Sequence, residues 1–327
     1  MIEYKRSLLK GGSLAGTYLI ESDCGKFVRK QISRSSEREY GFQRWYSQLK
    51  RLQRYEILFP ELFCRVKRYG LENELAYFDL EFYEGAFNCQ EYLMTCTDDK
   101  EIELIFNLII DGMKMLHSVN IPSCKESISL YIEEEVSQKI SDCLHDDEFL
   151  KFYNLDHITF KGEKIPSFRS MYRDYRSTSI DLYTAPIESY THGNITLENI
   201  LYLKDKKSVI FIDPYEENII DNLYNEYSQI LQSCNSHYEI YNNANINKDE
   251  IENVDIKVPY GIKKFDKLFK GFMKNNLSDQ EIKIVRSFEI SQFIRMLPFK
   301  MKVDKEKSFL FYCLASYLTN RFLENDE

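Results

Sequence analysis

Asn199 and Asp213 are the residues through which this chain could do metal chemistry. Between them, Ile200 to Leu203, a Lys-Asp-Lys-Lys turn and Ser208 to Ile212 read as a β-hairpin of apolar and β-branched residues. A ribbon of that kind holds the residue just before it and the residue just after it at one end. An amide oxygen and a carboxylate brought together there suit a hard cation such as Mg²⁺, which takes oxygen ligands and keeps the phosphates of a nucleotide. Immediately upstream stands Thr191-His192-Gly193-Asn194-Ile195-Thr196-Leu197-Glu198. Asn194 within it carries an amide, which cannot act as a base near neutral pH.

The elements that must position these groups are legible further upstream. Residues 4–32 read as three strands joined by a turn at Lys10-Gly11-Gly12-Ser13 and another at Ser22-Asp23-Cys24-Gly25. A glycine-bearing hairpin lets backbone N–H groups approach phosphates closely, although many such hairpins are only turns. Phe27-Val28-Arg29-Lys30 places a lysine at a strand end; the plain alternative is a solvated strand lysine beside an equally solvated Arg29. Ser35-Ser36-Glu37-Arg38-Glu39 reads as a helix start, a Ser cap with acids in the first turn. Tyr40, Trp45, Tyr46, Leu49 and Leu52 continue it at helical spacing. Residues 62–69 and 75–83 read as two more strands joined at Gly70 to Glu74, and Gly85 closes the run Phe78 to Glu84.

Beyond Gly85 the pattern turns helical, with segments over 89–94, 100–119, 125–155 and 166–184, and a hairpin around Lys161-Gly162. Arg169, Arg173, Tyr175 and Arg176 are candidates to reach an acceptor or, more plainly, the polar face of a helix. His117 and His237 read as structural.

The order His-Gly-Asn-(x4)-Asn followed by Ile-Asp resembles the catalytic loop and metal aspartate of phosphotransferases with the protein-kinase-like fold. Within them it is similar to the small-molecule branch, the aminoglycoside phosphotransferase and choline kinase group. The segment Ile212-Asp213-Pro214, the helix-like run after it, Gln232-Ser233, Tyr238-Glu239 and Glu289 to Phe299 also resemble kinase-like proteins of bacterial capsular and surface-polysaccharide gene clusters. The resemblance implies ATP with Mg²⁺, the metal on Asn199 and Asp213, and Lys30 on the α- and β-phosphates, steadied by Glu39 or, alternatively, Glu37. It further implies a phosphate-covering turn at Gly11, Gly12 and Ser13, and backbone groups of Glu81 to Tyr83 meeting adenine. In that family an aspartate stands where this chain has Asn194. Three readings follow: an engineered Asp→Asn change, a slow or differently catalysed transferase, or a nucleotide-binding pseudokinase that regulates or scaffolds a partner.

Composition bounds these readings. The chain has 327 residues, 43% apolar and 29% charged, enough for a core without covalent staples. Net charge is −9, and residues 1–84 carry 15 Lys/Arg against 12 Asp/Glu, so the acidic excess lies after residue 84. That balance disfavours a nucleic-acid backbone as partner. The 8 cysteines show no CxxC and no zinc spacing, no apolar run approaches 18 residues, and Met-Ile-Glu-Tyr-Lys-Arg has no apolar signal core. Free thiols in a cytoplasmic protein with no membrane span are the expectation.

The expected fold is therefore α+β, protein-kinase-like and two-lobed. Residues 1–84 form an antiparallel five-stranded nucleotide-binding lobe, and residues 85–327 a mainly helical lobe carrying the catalytic loop and the acceptor site. The expected function is phosphoryl transfer from ATP to a hydroxyl of a sugar, polyol or amino alcohol, possible also in surface-polysaccharide biosynthesis; no feature supports a peptide acceptor.

Overall fold

Five antiparallel strands form the N-terminal sheet: β1 (Glu3–Leu8), β2 (Gly16–Ser22), β3 (Gly25–Ser33), β4 (Val66–Glu72) and β5 (Leu75–Glu81), in the order β1-β2-β3-β5-β4. The computed structural model describes residues 3–9, 15–36, 41–121, 126–183, 187–215 and 218–324. Gly11, Gly12, Ser13, Glu37 and Glu39 lie outside these. The chain divides into two compact units. The first comprises Met1–Tyr92, Asn107–Leu116 and His192–Asn218, and the second Leu93–Phe106, His117–Thr191 and Ile219–Glu327.

In the first unit, alternation along β3 sends Phe27, Arg29 on one side and Lys30, Ile32 on the other into buried surroundings. Arg29 is not solvated, against expectation. It lies directly opposite Asp79 of β5 and grips that carboxylate with two nitrogens, at 2.7 and 3.0 Å. Arg68 of β4, also in register with Asp79, binds the same carboxylate. The strand pairing thus builds an Arg-Asp-Arg row across β3, β5 and β4.

Two further expectations change. The strand expected over 62–69 begins at Val66 and runs to Glu72. Leu62 and Phe63 are taken elsewhere: the Phe211 N–H donates to the Leu62 carbonyl at 2.7 Å, and Phe63 bridges to Phe211. The link to β5 is only Asn73-Glu74, both left-handed (φ 46° and 67°), a turn whose twist matches that of paired strands. The helix expected to open at Ser35 begins at Phe42 and runs to Leu58, with Gly41 at its N-cap. Ser33 explains this, because its hydroxyl and carbonyl accept the N–H groups of Ser35 and Ser36 and hold them in a turn off β3. The helix buries Trp45, Leu49 and Leu52, and the Trp45 ring lies 5.2 Å from Phe78 of β5. Its burial against the sheet contributes a few kcal/mol.

The second unit is helical apart from short ribbons. The helix Leu223–Cys234 buries nearly all its residues, and Asp279–Arg295 and Lys305–Glu324 bury more than half of theirs, so their buried polar side chains must pair internally. Gln292 donates to Asn225 and Ser228, and Asn235 and Ser236 donate to Glu289, which also binds Arg286. The expected hairpin is present as His157–Phe160 and Glu163–Pro166, turning at Lys161-Gly162. His117 meets buried Glu226, as a structural histidine should. Arg169 binds Asp156, and buried Tyr175 donates to the Ser287 carbonyl at 3.0 Å, so both serve the helical packing. Among the described residues the cysteines are free, and no helix is long and apolar enough to cross a membrane.

Candidate active site

The site grows from two elements of the first unit, strand β3 and the hairpin Ile200–Leu203/Ser208–Phe211. In the hairpin, Ile200 lies opposite Phe211 and Leu203 opposite Ser208. One further bond extends it, from the Ile212 N–H to the Asn199 carbonyl at 2.9 Å, and this sets Asn199 beside the segment that leads into Asp213. The hairpin seats its Phe211 ring against Gly112, where a Cβ would lie only 2.8 Å from that ring.

Asp213 has a left-handed backbone (φ 56°), a conformation that Asp tolerates better than most residues. Its Oδ1 accepts a hydrogen bond from Lys30 Nζ at 2.7 Å. Burial pushes the carboxyl up, but the Lys30 ammonium, with His192 and Arg44 adding to it, outweighs this and holds it below its ordinary value of 3.8. Water still reaches 42% of the Asp213 side chain, whereas Lys30 is 6% exposed. The lysine is thus a buried cation aimed outward at an accessible carboxylate.

The loop ahead of the hairpin is fixed by His192, which is fully buried. Its Nδ1 accepts the Asn194 N–H at 3.2 Å, so the proton resides on Nε2, which donates to the Ile212 carbonyl at 2.8 Å. Burial pushes the imidazole down to about 3, and it stays neutral at physiological pH. Phe63 stacks on it and Phe211 meets it edge-on. Gly193 has φ +77°, and a Cβ there would come within 2.3 Å of Asn218 Nδ2 and 3.0 Å of Tyr215 Cβ; no other residue fits.

Asn199 Nδ2 donates to the Asn194 carbonyl at 2.8 Å and to Thr196 Oγ1 at 3.2 Å. Its amide nitrogen is thereby committed to the loop, which leaves Oδ1 as the group to offer a cation. Among the described residues no cluster of three or more His, Cys, Asp or Glu could hold a metal on its own. One amide oxygen and one carboxylate fit Mg²⁺, which keeps waters and phosphate oxygens for its other positions. Asn194 is half-buried at the head of the loop.

At the end of β5, the Glu81 N–H donates to the Arg65 carbonyl at 3.0 Å, and the Tyr83 carbonyl accepts the Ala86 N–H at 3.2 Å in a turn through Gly85. Those two groups are therefore committed within the chain, and the expected adenine contacts narrow to the other backbone groups of 81–83. Burial raises the Tyr83 phenol, with help from Cys64 and Glu81, and pushes the buried Cys64 thiol up to about 12. Lys30, Asn194, Asn199, Asp213, Glu81 and Tyr83 all lie in the first unit.

No protein-family model and no curated protein matches the chain. Solved structures do. A protein described as a fructosamine-3-kinase from Haemophilus somnus 129PT is similar over 98% of this chain and 92% of its own, with a TM-score of 0.61 and 11% identity. A GDP complex of a mutant aminoglycoside 2′-phosphotransferase IIIa is similar over 100% and 95%, with a TM-score of 0.62 and 14% identity. The GDP and kanamycin complex of APH(2″)-IIIa has a TM-score of 0.60 at 14% identity, over 100% and 95% of the two chains. With its five-stranded antiparallel sheet and mainly helical remainder, the chain has the α+β protein-kinase-like fold of these small-molecule kinases.

Proposed function

We propose that the protein is a phosphotransferase that moves the γ-phosphoryl group of ATP, with Mg²⁺, to a hydroxyl of a small molecule. The observation that carries this is the 2.7 Å pairing of Lys30 with Asp213 next to an Asn199 whose amide nitrogen is already engaged. A strand cation that could meet phosphates, and an amide oxygen and a carboxylate on neighbouring segments that could meet a cation, support this reading. Complexes of two proteins of similar fold with GDP support a nucleotide. A sugar, polyol or amino alcohol is the acceptor class, and a sugar or polyol is what a role in surface-polysaccharide assembly would require.

When bound, Mg²⁺ would neutralise charge on the phosphates, held by Asn199 and Asp213. Lys30 would turn from Asp213 to the α- and β-phosphates. The acceptor oxygen forms a bond to the γ-phosphorus, the bond from that phosphorus to the bridging oxygen breaks, and ADP leaves with the electron pair. Asn194 Oδ1 can accept a hydrogen bond from the acceptor hydroxyl and orient it, but the proton must pass to solvent. The loss of a base typically costs a factor of about 10²–10⁴ in rate.

Asn194 favours a second reading, a nucleotide-binding protein that regulates or scaffolds a partner. One experiment separates the two. The melting temperature is followed with ATP and with GTP, with and without Mg²⁺, and turnover is assayed against sugars, polyols and amino alcohols in wild type and Asn194→Asp. A ligand of the folded state must raise the melting temperature. Stabilisation by the Mg²⁺-nucleotide, and turnover that rises by about 10²–10⁴ in Asn194→Asp, is the expected result. Stabilisation with no turnover in either protein selects the regulator. No stabilisation by either nucleotide overturns both.

A further inference from the structure

The helix Phe42–Leu58 binds the backbone of Lys30 and of the two residues that follow Asp213. The Trp45 indole N–H donates to the carbonyl of Lys30 itself at 3.3 Å. Gln48 Nε2 donates to the Pro214 carbonyl at 2.9 Å, and Arg51 Nη1 to the Tyr215 carbonyl at 2.8 Å. Arg44 sits over the Tyr215 ring, 4.7 Å from its centroid. Arg44, Gln48 and Arg51 fall at i, i+4 and i+7, one face of one helix. Gln48 and Arg51 are both buried, so these donors have been withdrawn from water to serve two carbonyls. Arg51 is itself braced by Tyr55, whose hydroxyl accepts from Nε at 3.0 Å.

The carbonyls they hold are those of the two residues after Asp213. Asp213 is left-handed, so the direction of its side chain depends on the path the chain takes on leaving it. That path has a third tie, the Tyr215 N–H to the His192 carbonyl at 2.9 Å, which joins it to the loop bearing Asn194.

We infer that Gln48 and Arg51 are positioning residues: they hold the 214–215 backbone so that Asp213 is presented to a cation, and through Trp45 the same helix sets Lys30. The inference rests on the nucleotide–Mg²⁺ reading of the site and adds how that site is kept in register. A shift of this one helix moves lysine and carboxylate together, and any ligand that pulls Lys30 from Asp213 is felt at the indole.

Trp45 is the protein's one tryptophan, so its fluorescence reports this contact without labelling. Gln48→Leu and Arg51→Met remove the donors and keep most of the bulk. Arg51→Lys keeps a donor, and Arg54→Met removes an exposed arginine of the same helix as the control. Two measurements are made on each folded variant: hydrogen exchange of 213–215 without ligand, and Mg²⁺ affinity at saturating ATP from Trp45 fluorescence. Faster exchange at 213–215 in Gln48→Leu and Arg51→Met is expected, with Mg²⁺ affinity weakened about tenfold, the loss of one hydrogen bond's worth of positioning. ATP affinity without Mg²⁺ should change less than about twofold. Arg51→Lys should recover most of the loss, and Arg54→Met should match wild type.

Unchanged exchange in both variants overturns the inference whatever the ligand does. Faster exchange with wild-type Mg²⁺ affinity also overturns it, because the two residues would then be structural only. A wild type that binds neither ATP nor Mg²⁺ while exchange responds as expected removes the reading under Proposed function and the metal-presenting role with it. The hold on 214–215 then remains as an established contact.

Discussion

Arg29 and Lys30 are neighbours on β3, and their side chains end in opposite kinds of ion pair. Arg29 and Asp79 are 6% and 1% exposed and meet through two hydrogen bonds, with Arg68 on the same carboxylate. Lys30 is as buried as Arg29, but among the described residues its ion pair is one contact, to an Asp213 side chain that is 42% exposed. The first arrangement pairs its charges within the sheet, with Glu72 adding a second carboxylate to Arg29. The second leaves its carboxylate open to water and to whatever else could bind there. One strand, read by its two-residue period, thus carries structure on one side and a candidate site on the other.

The comparison breaks most visibly at Asp79. Asp79→Ala removes the carboxylate that Arg29 and Arg68 share and leaves buried Arg29 only its outer bond to Glu72, and we expect a loss of about 3–5 kcal/mol in unfolding free energy, read from the denaturant midpoint. A shift below about 1 kcal/mol would mean that the row is not a buried structural pair at all. Lys30→Met should behave in the opposite way. Met fills the buried stem, the Asp213 carboxylate keeps its water, and stability should move by no more than about 1 kcal/mol. Mg²⁺-nucleotide affinity, measured by calorimetry, should fall at least about tenfold. Equal stability losses in the two variants would erase the distinction.

The smallest effect is in acid. The Asp213 carboxyl is held below its ordinary value of 3.8, so the stability it draws from Lys30 is full above that value and is lost as pH falls through the lower folded value. Wild type and Asp213→Asn should therefore differ by a constant offset from neutrality down to about pH 4, and the offset should shrink below it. Both proteins carry a steeper background from His192, in which burial is the largest cause and the Asp213 charge a smaller one. The His192 pKa falls from 6.5 to about 3 on folding, so stability is full above 6.5 and lost as pH drops towards 3. The slope reaches at most about 1.4 kcal/mol per pH unit. An offset that shrinks already between pH 5 and 6, measured by chemical denaturation, would assign the acid response to another group.

What could be read in the sequence follows from the same contrast. The loop and hairpin from Thr191 to Asp213 were legible because their chemistry is local: residue types, a two-residue period and a turn determine which ends meet. The pairing of Lys30 with Asp213 was not legible, since nothing near the lysine announces a partner 183 positions away, and the resemblance pointed to Glu39 or Glu37 instead. The Arg29–Asp79–Arg68 row was missed because it exists only once three strands take one register; an acid inside the apolar run Phe78 to Phe82 was the signal. The helix start was misplaced because Ser35-Ser36 followed by acids satisfies the rules of a cap, while Ser33 takes those N–H groups for a turn. Gln48 and Arg51 looked like ordinary helix polars, since the carbonyls they bind carry no side-chain signature.

The 183-position span of the Lys30–Asp213 contact has a kinetic meaning as well. Closing long loops is entropically slow, whereas the β2–β3 and β4–β5 hairpins pair residues close in sequence. On a ribosome the sheet, with Lys30 already seated in it, has its partners available well before residue 213 emerges. Our hypothesis is that the scaffold matures first and the site is completed late. Pulsed hydrogen exchange during refolding would then protect β3 and β5 amides ahead of Tyr215, and the reverse order would refute it.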